Sequence, residues 1–425
     1  MNQLERNSIG LFFLLMLIFP TVLKVERGIF LAMIVFGAII IIVRKPGSWC
    51  VSNKIFYWLI ICTTYSMVSI FWGVLHNAPG AISTSTVYVV WPILYVFMIG
   101  YAKKFELFVF LTKILMVGFF IASASGILLV TSILSPPLQV LNPYFNLLDG
   151  NVGLYDGTTQ FTLNNMPTAF YGLAFTISFL LLGDRVKAIF HPRWIYFCCI
   201  NLLLSIFVMF ISGRKAFIVV GLSAVPLSLA AMKFVGILSL SPARLVRLFT
   251  FGFLSLLIII LTSELMFGIN LESVFNDFAA GFNFHDDANI SASRRGEQFV
   301  ALIREWQSSP VFGFGHGNYV VSEPGDVDPW AYELQYIALL FQTGLLGIFV
   351  YASAVFWLLI QLIKKSYIDA NFSILSVPLF VALLCFLVAN ATNPYLAKFD
   401  YLWVIFLPLG LVNFALLNPR QEARL

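Results

Sequence analysis

Long apolar runs separated by short polar connections constrain this chain more than any other feature. A bilayer core needs about 20 apolar residues per helical crossing, whereas a membrane strand alternates in polarity over about ten. We therefore predict an all-α polytopic membrane protein with about 12 transmembrane helices. The runs fall at 8–23, 28–43, 55–75, 81–101, 105–134, 166–183, 194–212, 215–236, 245–268, 331–363, 372–390 and 400–417.

Composition supports the membrane assignment. Only 11% of the residues are charged, against about 25% in an average soluble domain. All five cysteines lie in or beside apolar runs, so no disulfide framework is expected. The four histidines are scattered over different segments, and the sequence predicts no metal site, no cofactor and no nucleic-acid partner.

The distribution of cations predicts the orientation. Lys and Arg are about twice as frequent in one alternate set of connections, which the positive-inside rule places in the cytoplasm together with both termini. The expected organisation is nine helices over 1–269 with an outer loop at 135–165, a large outer loop at 270–330, and three helices with a cytoplasmic tail over 331–425. Because charged residues follow the first apolar run where a cleavage site would stand, that run is expected to be a retained helix.

The second outer loop contains two local patterns. Apolar residues at helical spacing from 293 to 306, closed by Pro310, predict an amphipathic helix lying against the membrane surface. The segment GFGHGNY at 313–319 is a glycine-rich turn, and glycines allow backbone N–H groups to approach an oxyanion. That signal is weak, because neither the strand-to-helix context nor the lysine of a nucleotide-binding loop is present.

Cations on the predicted outer side are disfavoured, so they require an explanation. Arginine binds phosphate in a bidentate manner and stays charged, and a polyprenyl pyrophosphate in the outer leaflet is an anion that several arginines would hold. The alternative is that these side chains reach lipid headgroups or pair with nearby acids. The residues concerned are Arg214, Lys215, Arg294, Arg295 and Arg304.

Four segments together resemble the O-antigen polymerase and O-antigen ligase superfamily. The resemblance covers roughly residues 154–408 and implies a bacterial inner-membrane enzyme with its active site in the periplasm. It also implies a lipid-linked glycosyltransferase that takes a glycan from undecaprenyl pyrophosphate without a metal, with a chain-length regulator as a partner. The segments are ISGRKAF at 211–217, WQSSPVFGFGHGNY at 306–319, YELQYIALLFQTGLLG at 332–347 and ATNPYL at 391–396.

One position divides the superfamily. Ligases carry a histidine followed by Asn, Ser or Gln, then nine residues and a Gly-x-x-Gly pair. Counting back from Gly344 and Gly347, Glu333 stands in the place of that histidine. The departure favours a polymerase of lipid-linked repeat units over a ligase.

The polymerase reaction assigns roles to these residues. A sugar hydroxyl attacks the anomeric carbon of a second lipid-linked chain and expels undecaprenyl pyrophosphate, which needs a base at the acceptor and cations at the leaving group. We predict that Glu333 is the base and Arg295 the catalytic cation. A structural salt bridge between Glu333 and one of the arginines is the alternative. The predicted substrate-binding residues are Arg214, Lys215, Arg294, Arg304, His316, Tyr332 and Asn393.

Two other functions remain open at this point. One is an O-antigen ligase that transfers glycan to lipid A core, and the other is a flippase for lipid-linked oligosaccharide. A transporter is expected to show internal repeats and charges near the bilayer midplane. Here the charges cluster in one outer loop of the carboxy-terminal half, which favours an enzyme.

Overall fold

The computed structural model describes residues 3–44, 49–100, 102–155, 158–238, 290–325 and 328–418, together with residues 250, 257 and 261. The described part is mostly helical. Its helices are α1 (Gln3–Ile18), α2 (Lys24–Arg44), α3 (Asn53–Leu75), α4 (Ala81–Ser85), α5 (Trp91–Gly100), α6 (Phe105–Leu134), α7 (Asn142–Leu147), α8 (Met166–Leu181), α9 (Pro192–Ile211), α10 (Lys215–Phe234), α11 (Ile290–Trp306), α12 (Gln335–Ile368), α13 (Ala370–Ala389) and α14 (Trp403–Leu417).

Shorter elements complete the description. A π-helical turn, Thr86–Val90, joins α4 to α5 without a break. Four 3₁₀ turns occupy Pro136–Leu141, Gly183–Ala188, Tyr395–Ala397 and Phe399–Tyr401.

Nine segments among the described residues are long and apolar enough to cross a membrane. Two shorter apolar helices, Arg6–Ile18 and Met166–Leu181, match two further predicted runs. The structure therefore confirms a helical, multi-pass membrane protein. The count of about 12 crossings stays a prediction, since nearly all of the run at 245–268 and of the loop at 270–289 lies outside the described residues.

Two helices form the centre of the bundle. Along α8 nearly every side chain is buried, and α13 is buried over most of its length. Both are apolar on all sides, which is the pattern of a helix surrounded by other helices. They pack closely against each other, and α10 packs against both. Phe170 near the start of α8 contacts Phe217 near the start of α10 and Tyr395 just beyond α13, so these three helix ends lie at the same end of the bundle.

The predicted outer loop at 135–165 is partly ordered by a hairpin that the sequence did not predict. Strand β1 (Asn151–Tyr155) pairs antiparallel with β2 (Thr158–Thr162), with Asn151 opposite Thr162. Phe161 anchors the hairpin, since its side chain is 1% exposed. Beyond β2, the backbone carbonyl of Asn164 accepts a hydrogen bond of 2.6 Å from the Tyr401 hydroxyl. The hairpin is thereby tied to the turn before α14.

Helix α12 is interrupted at Gly344. This residue adopts φ 62° and ψ −172°, in the positive-φ region that favours glycine. A Cβ atom at Gly344 would stand 2.2 Å from the carbonyl oxygen of Val311. The break leaves helical N–H and C=O groups without partners inside α12, and the loop after α11 supplies those partners.

Candidate functional site

The glycine-rich turn fills the break in α12. Phe314 and Gly315 donate their N–H groups to the carbonyls of Phe341 and Gln342, at 3.1 and 2.7 Å. In the opposite direction, Leu345 N–H donates to the Pro310 carbonyl at 2.9 Å. These bonds satisfy buried backbone groups that would otherwise cost free energy. The turn is therefore held to the two halves of α12 by backbone pairing.

The same pairing occupies the N–H groups of residues 313–316, which the sequence suggested could approach an oxyanion. The N–H of Gly313 donates to Ser309 O at 3.0 Å, and that of His316 donates to Ser69 O at 3.1 Å. Together with the bonds of Phe314 and Gly315, all four N–H groups from 313 to 316 have protein acceptors. The positive φ values of Gly313 and Gly315 serve close backbone packing instead.

His316 lies inside the protein. The side chain is 0% exposed, its ring stacks on Tyr88 with centroids 4.1 Å apart, and Nε2 lies 2.9 Å from the Tyr351 hydroxyl. Burial lowers the pKa of His316 to about 3, because the charged imidazolium loses its hydration. The predicted substrate-binding residue is thus a neutral, buried side chain that holds the turn against α12.

Tyr332 is also placed in the interior. Its side chain is 1% exposed, and its hydroxyl accepts a hydrogen bond of 2.7 Å from the N–H of Val320. It packs in a small apolar cluster with Leu302 and Phe341. Burial raises the pKa of Tyr332 to about 12, since the phenolate is disfavoured there. The sequence predicted a substrate contact, but the structure uses this residue to order the loop that precedes α12.

Arg295 and Glu333 meet in the structure. Arg295 Nε donates to Glu333 Oε2 at 2.6 Å, although the two residues are 38 positions apart. Their side chains remain 18% and 38% exposed. The alternative prediction of a salt bridge is confirmed, and the pair stays accessible from one side. An ion pair that is this exposed contributes about 0–1 kcal/mol to the stability of the fold. Either side chain can therefore leave its partner and bind a ligand at little cost in free energy.

Helix α11 carries Arg295 to this position. The predicted helix is present, and it packs against α12. Leu302 is fully buried on the face that packs against α12, whereas Phe299 is 46% exposed. Gln298 and Ala301 join Leu302 on that face. The remaining predicted cations on this helix are Arg294, which is partly buried, and Arg304, which is exposed.

Arg214 lies at the start of α10 beside the turn at 391–396. Its Nε is buried and has no hydrogen-bond partner among the described residues. Its neighbour in the turn is Tyr395, whose pKa burial raises to about 12 while the charge of Arg214 acts in the opposite direction. Lys215 is the first residue of α10 and is partly buried. The amide of Asn393 donates to Thr392 Oγ1 at 3.2 Å.

Two residues that the sequence did not select connect these regions. The hydroxyl of Tyr336, three residues after Glu333, donates to Leu387 O in α13 at 2.6 Å. Asn390, at the end of the same helix, accepts the N–H of Leu396 at 2.8 Å, and its side-chain amide lies against the Tyr336 hydroxyl. Asn390 was recognisable only as an amide in a helix-ending turn. Tyr336 lies at the start of α12, and Asn390 directly follows α13. The two contacts therefore place Glu333 at the same end of the bundle as the turn at 391–396, which lies beside Arg214.

Comparisons with known proteins do not identify the chain. No family model, no curated protein and no solved structure matches it. Within the described ranges, no group of three His, Cys, Asp or Glu residues is arranged to hold a metal ion. The site itself contains a carboxylate and several cations, with amide and phenol groups nearby.

Proposed function

We propose that this protein polymerises oligosaccharide repeat units linked to undecaprenyl pyrophosphate at the periplasmic face of a bacterial inner membrane. The single observation that carries the proposal is the accessible pair between Arg295 and Glu333. It joins an anion-binding group and a base, the two groups that the reaction requires, at one end of a membrane bundle.

The pair suggests how donor binding prepares the base. In the resting protein the guanidinium of Arg295 occupies one oxygen of Glu333. A pyrophosphate carries more negative charge than one carboxylate and accepts the arginine fork in a bidentate manner, so it competes for Arg295. Transfer of Arg295 to the pyrophosphate releases the Glu333 carboxylate. The base then becomes available only when a donor is bound.

In the proposed step, the Glu333 carboxylate takes the proton of the acceptor sugar hydroxyl. The hydroxyl oxygen forms a bond to the anomeric carbon of the donor glycan. The bond from that carbon to the pyrophosphate oxygen breaks, and the pyrophosphate leaves with the electron pair. Arg295 and Arg214 stabilise the charge that develops on the leaving group, and the buried Nε of Arg214 is a donor still available for it.

The turn at 391–396 contributes to donor binding in this proposal. Tyr395 beside Arg214 and the side-chain amide of Asn390 place a phenol and an amide in the same region. Such groups suit sugar hydroxyls and phosphate oxygens. The partners implied are the lipid-linked glycan, membrane lipid and a chain-length regulator.

Surface polysaccharide from a complemented deletion strain tests the reaction. A strain without the gene is expected to show a single repeat unit on lipid A core, and wild-type protein is expected to restore long chains. Complete loss of capped core in the deletion strain would indicate a ligase instead. Loss of every lipid-linked product from the periplasmic face would indicate a flippase.

Variants of the purified enzyme test the roles of the pair. Glu333→Gln is expected to lower kcat by about 10²- to 10⁴-fold, the usual contribution of a general base. It is also expected to lower the donor KM, because Arg295 no longer has a competing carboxylate. Arg295→Ala is expected to raise the donor KM. Glu297→Gln is the matched control, since Glu297 is an exposed acid on α11. Full activity of Glu333→Gln would exclude the proposed base.

A further inference from the structure

The turn at 310–317, which fills the break in α12, lies beside the last two turns of α3. Helix α3 is long and apolar enough to cross the membrane. Its Trp72 donates the indole N–H to the Gly313 carbonyl at 3.2 Å, and its Ser69 carbonyl accepts the N–H of His316 at 3.1 Å. Because α3 ends three residues after Trp72 and six after Ser69, these contacts lie about 5 to 9 Å inside the end of the helix. The turn is therefore placed at the depth of a membrane-spanning segment.

The length of α12 leads to the same depth. The helix has 34 residues, and it would measure about 51 Å if it were straight, against about 30 Å for the hydrocarbon core. The part after the break is about 36 Å long, which is enough to cross the core by itself. The second residue of this part, Leu346, donates its N–H to the Val311 carbonyl at 3.1 Å. The turn is thus attached where the crossing part of α12 begins.

The sequence around the turn carries no charge. No Lys, Arg, Asp or Glu occurs between Glu305 and Glu323. Burial lowers the pKa of His316, so its side chain is also uncharged at neutral pH. The indole N–H of Trp306 donates to the Pro310 carbonyl at 3.1 Å, and tryptophan is enriched where hydrocarbon meets the polar headgroups. A segment of this composition can lie at membrane depth without the cost of placing a charge there.

Two side chains of the turn point away from the protein. Val311 is 50% exposed and Phe312 is 60% exposed. Exposed apolar residues also stand on both helices that hold the turn, with Phe71 on α3 and Leu345 and Phe349 on α12. Since both helices are membrane-spanning segments, these exposed apolar side chains contact lipid. Val311 and Phe312 extend that lipid-facing surface across the turn.

We infer that the turn at 310–317 is a re-entrant loop whose Val311 and Phe312 side chains insert among the lipid acyl chains of the leaflet nearest the candidate site. Irregular backbone is tolerated at membrane depth where protein surrounds it, and the paired N–H groups from 313 to 316 meet this condition. The insertion divides the segment at 270–330, which the sequence predicted to be one extramembrane loop. It also fixes the depth of α11, which the turn directly follows. The inference does not depend on the proposed polymerase reaction.

The reactivity of introduced cysteines tests the depth of the turn. Phe312→Cys is compared with Ser322→Cys, an exposed position beyond the turn, and with Phe349→Cys on α12. The measurement is the rate of reaction with a membrane-impermeant maleimide in open membrane fragments, above the background of the five native cysteines. We expect Phe312→Cys and Phe349→Cys to react at least about tenfold more slowly than Ser322→Cys, because the reactive thiolate does not form in hydrocarbon. Equal rates for Phe312→Cys and Ser322→Cys would overturn the insertion.

Photo-crosslinking in the native membrane identifies what covers the turn. Benzoylphenylalanine is placed in the full chain instead of Phe312, Phe349 or Ser322, one position at a time. All three side chains are exposed, so the replacements leave the core unchanged. We expect phospholipid adducts, detected by mass, at 312 and 349 and none at 322. A protein adduct at 312 would assign the surface to a partner or a second copy, and a lipid adduct at 349 without one at 312 would place the turn outside the hydrocarbon. Either result would overturn the inference.

Discussion

Two ion pairs of this protein differ mainly in their burial. Arg27 at the start of α2 pairs with Asp400 in the turn before α14, and their side chains are 3% and 4% exposed. The pair between Arg295 and Glu333 is 18% and 38% exposed. Both connect segments that are distant in the chain. Only the second pair is accessible to a ligand. Whether an ion pair can take part in binding or catalysis therefore depends on its exposure more than on the presence of the two charges.

The surroundings of the buried pair explain its separate role. Arg27 Nη1 also approaches Met16 Sδ at 3.2 Å, and the guanidinium stands 5.8 Å from the ring centroid of Phe399. The pair joins the first two helices to the last one. Because both charges have left water, each depends on the other for compensation. Such a pair fixes the assembly of the bundle, whereas the exposed pair can exchange partners.

The largest expected effect comes from breaking the buried pair. Asp400→Asn leaves the Arg27 charge buried without compensation, and we expect the free energy of unfolding to fall by about 3–5 kcal/mol. Denaturation of the purified protein in mixed micelles measures the change. Arg27→Met combined with Asp400→Leu removes both charges and should recover most of the loss. If Asp400→Asn cost no more than Arg295→Ala, burial would not distinguish the two pairs.

An intermediate effect is expected from pH, through His316. His316 is as deeply buried as the pair of Arg27 and Asp400, but it belongs to the loop that ends at Glu333. Its pKa is about 3 in the folded protein, against 6.5 ordinarily, so between these values only the unfolded chain binds the proton. Stability should therefore fall as the pH drops below 6.5, by up to about 1.4 kcal/mol per pH unit, with no contribution at higher pH.

His316→Gln provides the control for this dependence, since glutamine does not titrate. Unfolding midpoints of both proteins at pH 7, 6 and 5 give the comparison. The wild-type protein should lose more stability on acidification than the variant. Parallel curves would mean that His316 is hydrated or protonated in the folded state.

The smallest effect is expected at the exposed pair. Arg295→Ala should change the free energy of unfolding by less than about 1 kcal/mol, because partial exposure weakens the interaction. Raising the salt concentration should reduce even this difference. Unfolding measurements at low and high salt provide the check. A loss above about 2 kcal/mol would give Arg295 a structural role, and its effect on donor KM would then need separate proof.

Much of the helical architecture was predictable, because local hydropathy determines it. Runs of about 20 apolar residues have to be helices in a bilayer, since a lipid-exposed backbone must satisfy its own hydrogen bonds. The helix near Arg295 was predictable from periodicity. The hairpin at 151–162 was not predicted, because its pairing depends on contacts with Phe161 and Asn164 that join it to other segments.

The site was predictable only in part. Sequence reasoning selected Arg295 and Glu333 and left open whether they would meet as a salt bridge. It placed His316 and Tyr332 at the substrate, whereas both are buried. A glycine-rich segment looks the same in sequence whether its N–H groups face a ligand or a broken helix. The two cases are distinguished only by the segment that packs against the turn in space, which here is the break in α12 at Gly344.

The sequence by itself determined that this chain is a helical membrane protein with a cluster of charged residues between two of its apolar runs. Composition and periodicity are local properties, and the bilayer permits few ways to satisfy them. Only the tertiary structure decided which charges are buried together and which remain accessible. Arg27 and Asp400 are 373 positions apart, and their pairing follows from helix packing that no local pattern encodes.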